Sequence, residues 1–186
     1  MKKPLNRSLG YTMETKKDEI KTDKLTGFLG EIDKELNRGI QLNAVGGTAM
    51  TLLGLKKSTI DVDFDMNSLD KTEFERVLGL IPHGFKVDRF VNGLIFSQQL
   101  PEDYLSKLIK LDVEFKKIRL YALHPVDIVA TKIGRLDGRD LQDIESCINS
   151  WSLKKEGIED RAKHMEICGS EKVYKQNLKV VIKKFF

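Results

Sequence analysis

Few features of this chain speak for covalent or membrane scaffolding. It has only two cysteines, Cys147 and Cys168. Their separation suits neither a disulfide framework nor a metal-binding pair, so a reduced, cytoplasmic protein is expected. The three histidines, His83, His124 and His164, are scattered. They form no constellation with a serine or cysteine nucleophile, and there is no Walker A string or internal repeat; triad hydrolysis and P-loop chemistry are set aside. No stretch approaches the roughly 18 apolar residues of a membrane span. The basic N-terminus lacks the apolar block that follows in a signal peptide. Charges are plentiful but nearly balanced, and a net charge of +4 tolerates a polyanionic partner without requiring one. What is present is a 40% share of hydrophobic residues in a 186-residue chain. That is enough for a real core in one domain, or one domain with a small appendage.

The most informative stretch runs from Val45 to Asp65. Gly46-Gly47-Thr48 follows an apolar run (Ile40, Leu42, Ala44, Val45) and precedes a helix-like pattern from Ala49 to Leu55. Residues 60–65 then alternate apolar and acidic, a strand signal that turns Ile60, Val62 and Phe64 to a core. Asp61, Asp63 and Asp65 would share the opposite face. Carboxylates spaced roughly 6.5–7 Å along one strand face repel each other, and a hard divalent cation converts that cost into binding. An EF-hand loop also begins Asp-x-Asp-x-Asp, but it requires glycine where Met66 stands, and Val62 and Phe64 suit a strand better. The glycine pair lets the backbone approach a ligand, and a helix N-terminus favours phosphate.

Gly46-Gly47-Thr48 followed by Asp61-Val62-Asp63 resembles the signature of the DNA-polymerase-β-type nucleotidyltransferase superfamily. The fuller string is similar to a minimal prokaryotic branch that includes the AbiEii-like toxins of toxin–antitoxin systems. The branch's Pro-x-Asp, Lys and Arg are matched by Pro125, Asp127, Lys132 and Arg135, and its Arg-Asp-x-x-Asp by Arg139, Asp140 and Asp143. Its Pro-Glu-Asp-Tyr-x-x-Arg is matched by residues 101–107, with Lys107 in place of the arginine. Lys offers a point charge where Arg offers a bidentate fork.

The resemblance implies transfer of a nucleoside monophosphate from an NTP to a hydroxyl, with Mg²⁺ or Mn²⁺ held by Asp61, Asp63 and a third carboxylate. Asp112, between Leu111 and Val113, matches that third acid best, with Glu114 and Asp88 as alternatives. It further implies phosphate contacts from the backbone of Gly46, Gly47 and Thr48 and from Lys132, and supporting roles for Thr59, Lys107, Arg135 and Asp143. The implied partners are an NTP, an RNA (tRNA) or protein acceptor, and an antitoxin protein. A rival reading is a non-catalytic nucleotide- or RNA-binding module of the same fold.

Periodicity around this unit predicts a helix from Lys16 to Arg38, preceded by a loose arm over residues 1–13. Asn67-Ser68 caps a helix over residues 69–80 with Leu69, Phe74, Val77 and Leu78 inward. Asn92-Gly93 joins residues 85–91 and 94–98 as a hairpin. Leu108–Phe115 and Ile118–Leu123 read as strands, and four helices follow His124-Pro125. Trp151 reads as core, and the stripe Lys172, Lys175, Lys179, Lys183 reads as a solvated helix face. The expected fold is α/β (α+β): a small mixed-sheet nucleotidyltransferase core with its N-terminal helix, residues 1–123, and a helical C-terminal part, residues 124–186.

Overall fold

The two apolar runs that flank the glycine turn meet at the centre of an antiparallel pair, β1 (Ile40–Ala44) and β2 (Val62–Met66). The computed structural model describes residues 18–186; the expected arm over 1–13 and the start of the first expected helix lie outside the described residues. A strand β3 (Val87–Val91) runs parallel to β2, and β7 (Ile118–Ala122) runs parallel to β1. The short strands β4 (Leu94–Ile95), β5 (Gln98–Gln99), β6 (Ile109–Lys110) and β8 (Glu166–Ile167) complete a mixed sheet of order β6-β7-β1-β2-β3-β4-β5-β8.

The helices among the described residues are α1 (Thr22–Glu35), α2 (Gly46–Leu52), α3 (Ser68–Leu78), α4 (Tyr104–Lys107), α5 (Pro125–Arg135), α6 (Gly138–Trp151), α7 (Lys155–Lys163) and α8 (Glu171–Phe185). Their starts follow local chemistry. Asn67 Oδ1 accepts the Asp70 N–H at 2.8 Å, and Asp137 with Asp140 forms a reciprocal capping box on α6. Proline at the first position of α5 gives up a donor that would be orphaned anyway. α5 buries Ile128, Val129, Ala130 and Ile133 and packs against α2, α6, α7 and α8. It therefore joins the helical C-terminal region to the glycine turn.

The hairpin forms as expected, with Asn92 and Gly93 both at positive φ (52° and 79°), the geometry of a two-residue type I′ turn. A second tight turn follows at Phe96-Ser97, again at positive φ (50° and 62°), which non-glycine residues seldom adopt.

Five expectations need correction. Strand β2 starts at Val62, so Ile60 and Asp61 stand in a bend before it. Of the stretch 108–115 only Ile109 and Lys110 form a strand, β6 at the sheet's edge; the Leu111 N–H still donates to the Leu120 carbonyl at 3.1 Å, and the chain then leaves β7. Leu69 is 77% exposed on the first turn of α3. Trp151 is 40% exposed and packs edge-on against His124. The C-terminal region also returns a strand, β8, to the sheet beside β5.

Candidate active site

A cavity of about 640 Å³ opens between the start of α2, the strands β2 and β3, and the facing helices α5 and α6. One wall is acidic. Asp61, Asp63 and Asp88 line it, and the parallel register of β2 and β3 sets Asp63 directly beside Asp88. Burial raises the Asp63 carboxyl to about 7, helped by the charges of Asp88 and Asp61. The charges of Asp88 and Asp61 make ionising Asp63 costlier, and the Lys86 charge, paired with Asp88 at 2.6 Å, offsets part of that.

Two threonines hold the wall in place. Thr48 is fully buried, and its Oγ1 accepts the Asp63 N–H at 2.9 Å and reaches the Asp61 carbonyl at 3.3 Å. Thr59 Oγ1 donates to the same carbonyl at 2.9 Å. The glycines are required by this packing. Gly46 has φ +54°, and a β-carbon there would stand 3.1 Å from the Phe96 ring; at Gly47 it would stand 2.7 Å from Thr59 Oγ1.

The opposite wall is basic. Lys132 Nζ donates to Asp140 Oδ1 (2.9 Å) and Asp143 Oδ2 (2.7 Å). Lys56 Nζ reaches Asp143 at 3.1 Å, and Arg135 grips Asp140 through Nε and Nη2, both at 2.7 Å. Three cations thus share two carboxylates. Burial pushes Asp140 up, yet the bonds from Arg135 and Lys132 outweigh it and hold the carboxyl at about 2. Lys132 keeps one of its three N–H donors beyond these two bonds. The walls feel each other, since the Arg135 charge acts on Asp63 against the rise caused by burial and by Asp88.

The fold brings Gly46, Gly47, Thr59, Asp61, Asp63, Lys132, Arg135 and Asp143 to this one cavity. Thr48 lies beneath it, where its side chain fixes the acidic strand. Asp112 is not brought there: it is exposed just beyond β6, three strand positions from β2. Asp88, one strand from Asp63, occupies the neighbouring-strand position instead. Lys107 is also elsewhere, paired with Asp103 at 3.2 Å on the wall of a separate cavity of about 1050 Å³. Asp103 and the fully buried Asp127 both bond Arg161, which ties α4 and α5 to α7.

Asp65 leaves the acidic row altogether. It is fully buried and accepts from the Gly93 N–H and Tyr104 Oη, each at 2.9 Å, and from Asn43 at 3.3 Å. Sequence reasoning did not find Lys56, Asp140, Lys86 or Phe96 as cavity residues. Only Asp140 gave a local signal, through its place in the Arg-Asp-x-x-Asp string.

The donor set is all carboxylate oxygen, which suits Mg²⁺ or Mn²⁺. Among the described residues no three carboxylate, histidine or cysteine side chains are gathered closely enough to enclose an ion alone. Mg²⁺ does not need such a cage, since one or two carboxylates plus substrate phosphates and water are its usual protein site. Lys86 also engages Asp88 at 2.6 Å. The residues present therefore fit such an ion, which Asp61 and Asp63 would hold.

Comparison with curated proteins and with solved structures returns no match for this chain. Residues 24–184 match the family described as "Nucleotidyltransferase of unknown function (DUF6036)", and the chain belongs to this family of nucleotidyltransferases.

Proposed function

We propose that this protein is a metal-dependent nucleotidyltransferase that moves a nucleoside monophosphate from an NTP to a hydroxyl acceptor, with RNA (tRNA) favoured, and releases pyrophosphate. The observation that carries the reading is the opposition of three carboxylates and three cations across one cavity. Asp61 and Asp63 would hold Mg²⁺ or Mn²⁺, and the bound ion supplies neutralisation of triphosphate charge. Lys132, Arg135 and Lys56 are held by Asp140 and Asp143 where they can receive the β- and γ-phosphates, so little reorganisation is needed when substrate arrives.

The acceptor oxygen bonds to the α-phosphorus, the bridging bond to the β-phosphate breaks, and pyrophosphate leaves toward the cations. Asp88, beside Asp63 in the parallel register, would receive the hydroxyl proton. The AbiEii-like strings extend the reading to a toxin restrained by an antitoxin partner, for which growth arrest on expression, relieved by Asp63→Ala, is the check.

The test is incubation with each α-labelled NTP in turn, Mg²⁺, and total cellular RNA and protein. Label in RNA is the expected result. Label in protein would change the acceptor class. No label with any NTP, from a folded protein, would sink the transfer reading and favour the non-catalytic nucleotide- or RNA-binding module.

A further inference from the structure

Beside the acidic wall the cavity continues into an alcove of about 340 Å³. The two share Ile60, Asp61 and Lys86, and the open alcove is lined further by Asp18, His83, Gly84 and Phe85. None of the three facing cations borders it. The alcove's aromatic side is a cluster of three rings. Phe85 stands edge-on to Phe28 with centroids 5.1 Å apart, and His83 is tilted at 5.6 Å from both. Phe28 belongs to the core, but Phe85 is half-buried and His83 is exposed, so the cluster runs outward from the core into the alcove. His83 Nδ1 lies 2.8 Å from the Ile81 carbonyl, which fixes the ring's orientation. Lys24 Nζ stands 5.6 Å over the Phe85 ring, and Lys86, paired with Asp88 at 2.6 Å, adds a second cation at the rim.

Displacement at phosphorus is in line: attacking and leaving oxygens lie on opposite sides of the reacting atom. Pyrophosphate departing toward Lys132 and Arg135 therefore requires a hydroxyl arriving from the side away from them. The alcove adjoins the cavity at Asp61 and is bordered by none of those cations. Aromatic rings flanked by lysines are what a single-stranded nucleic acid recognises, since every base has a face to stack and every link has a phosphate.

We propose that the alcove seats the terminal base of a single-stranded RNA, stacked on His83 and Phe85 with its backbone near Lys24 and Lys86, so that its ribose hydroxyl points at Asp61. The reaction rests on the transfer reading above; the acceptor subsite is the addition. The ribose oxygen bonds to the α-phosphorus, the bridging P–O bond breaks, the proton passes to Asp88 and pyrophosphate is released.

The experiment measures binding of a fluorescein-labelled single-stranded RNA hexamer by anisotropy, without NTP, on the full chain. His83→Ala, His83→Phe and the unaltered protein are compared. A stacked base contributes about 1–3 kcal/mol, so His83→Ala is expected to raise the hexamer Kd by about 5- to 150-fold. His83→Phe keeps a stacking face and restores binding. In the transfer assay the acceptor KM rises with the alanine variant and the NTP KM does not follow. Equal binding by His83→Ala and the unaltered chain, no rescue by His83→Phe, or no hexamer binding at all would each overturn the proposal. Because binding is read without turnover, a chain that binds the hexamer through His83 yet transfers no label refutes the transfer reading alone. A chain that labels protein and ignores the hexamer refutes the alcove alone.

Discussion

Asp63 is the residue on which the site's electrostatics converge. Its carboxyl is raised to about 7 by burial and by Asp88 and Asp61. Between the ordinary carboxylate range and neutrality the folded protein thus holds a proton that the unfolded chain has released. Stability from this group is greatest at acid pH and falls as pH rises from about 4 to about 7. Asp63→Asn should therefore raise the melting temperature of the metal-free protein at pH 8 and leave it unchanged near pH 4, as thermal melts across pH will show. The gain is a few kcal/mol, at about 1.4 kcal/mol per tenfold change in proton affinity. Lys132 has the opposite character. Removing its ammonium by Lys132→Ala leaves Asp140 and Asp143 buried with one cation each. A loss of roughly 3 kcal/mol is expected in urea unfolding, at the low end for a broken buried pair because Arg135 and Lys56 remain. Alternation made β2 and the place of Asp63 legible, but it put Asp61 inside the strand and Asp65 on the open face, because period 2 does not say where a strand starts or what covers it. Asp112 and Asp88 were not distinguishable that way. Which strand lies beside β2 is decided by sheet order, and no local pattern encodes it.

The short elements act through a few specific contacts. Tyr104 on α4 donates to Asp65 in the middle of β2, and Asp65 also receives the N–H of Gly93 in the hairpin turn. Tyr104→Phe leaves the buried carboxylate short of a donor. It should cost about 1–3 kcal/mol without touching transfer at saturating substrates, a split that separates this motif's structural role from the cavity. Gly46→Ala should be worse for function than for stability. The αL backbone costs a non-glycine residue roughly 1–2 kcal/mol, while the β-carbon would also press on the Phe96 ring at 3.1 Å and stand 3.5 Å from Asp63 Oδ2. A modest shift in melting with a large fall in transfer is the expected pair of results. At this scale the hairpin at Asn92-Gly93, the Asn67 cap and the helices after Pro125 were all readable, because turn and cap chemistry is local. The strand expected over 108–115 shrank to two residues. Beyond the Leu111 N–H bond to Leu120, Val113 and Phe115 pack against the core outside any strand, so their alternation satisfied burial and not pairing.

Taken as a whole, the molecule hangs its two chemical walls on different parts of the chain. The acidic wall comes from the β1–α2–β2–β3 unit and the basic wall from α5 and α6, and α5 packs on α2 to bring them together. The family match over residues 24–184 spans both parts. The juxtaposition was not legible as geometry. The resemblance grouped Lys132 with Asp61 and Asp63, but it also grouped Lys107, which the fold places in another cavity. The account stands most directly on pyrophosphate release and label transfer from the preferred α-labelled NTP, measured for the unaltered chain and for Asp63→Asn, Asp88→Asn and Asp112→Asn in parallel. The unaltered chain and Asp112→Asn should transfer at similar rates, while Asp63→Asn and Asp88→Asn stay folded and lose activity by a factor of about 10² or more. Full activity in Asp88→Asn with loss in Asp112→Asn would contradict the site described.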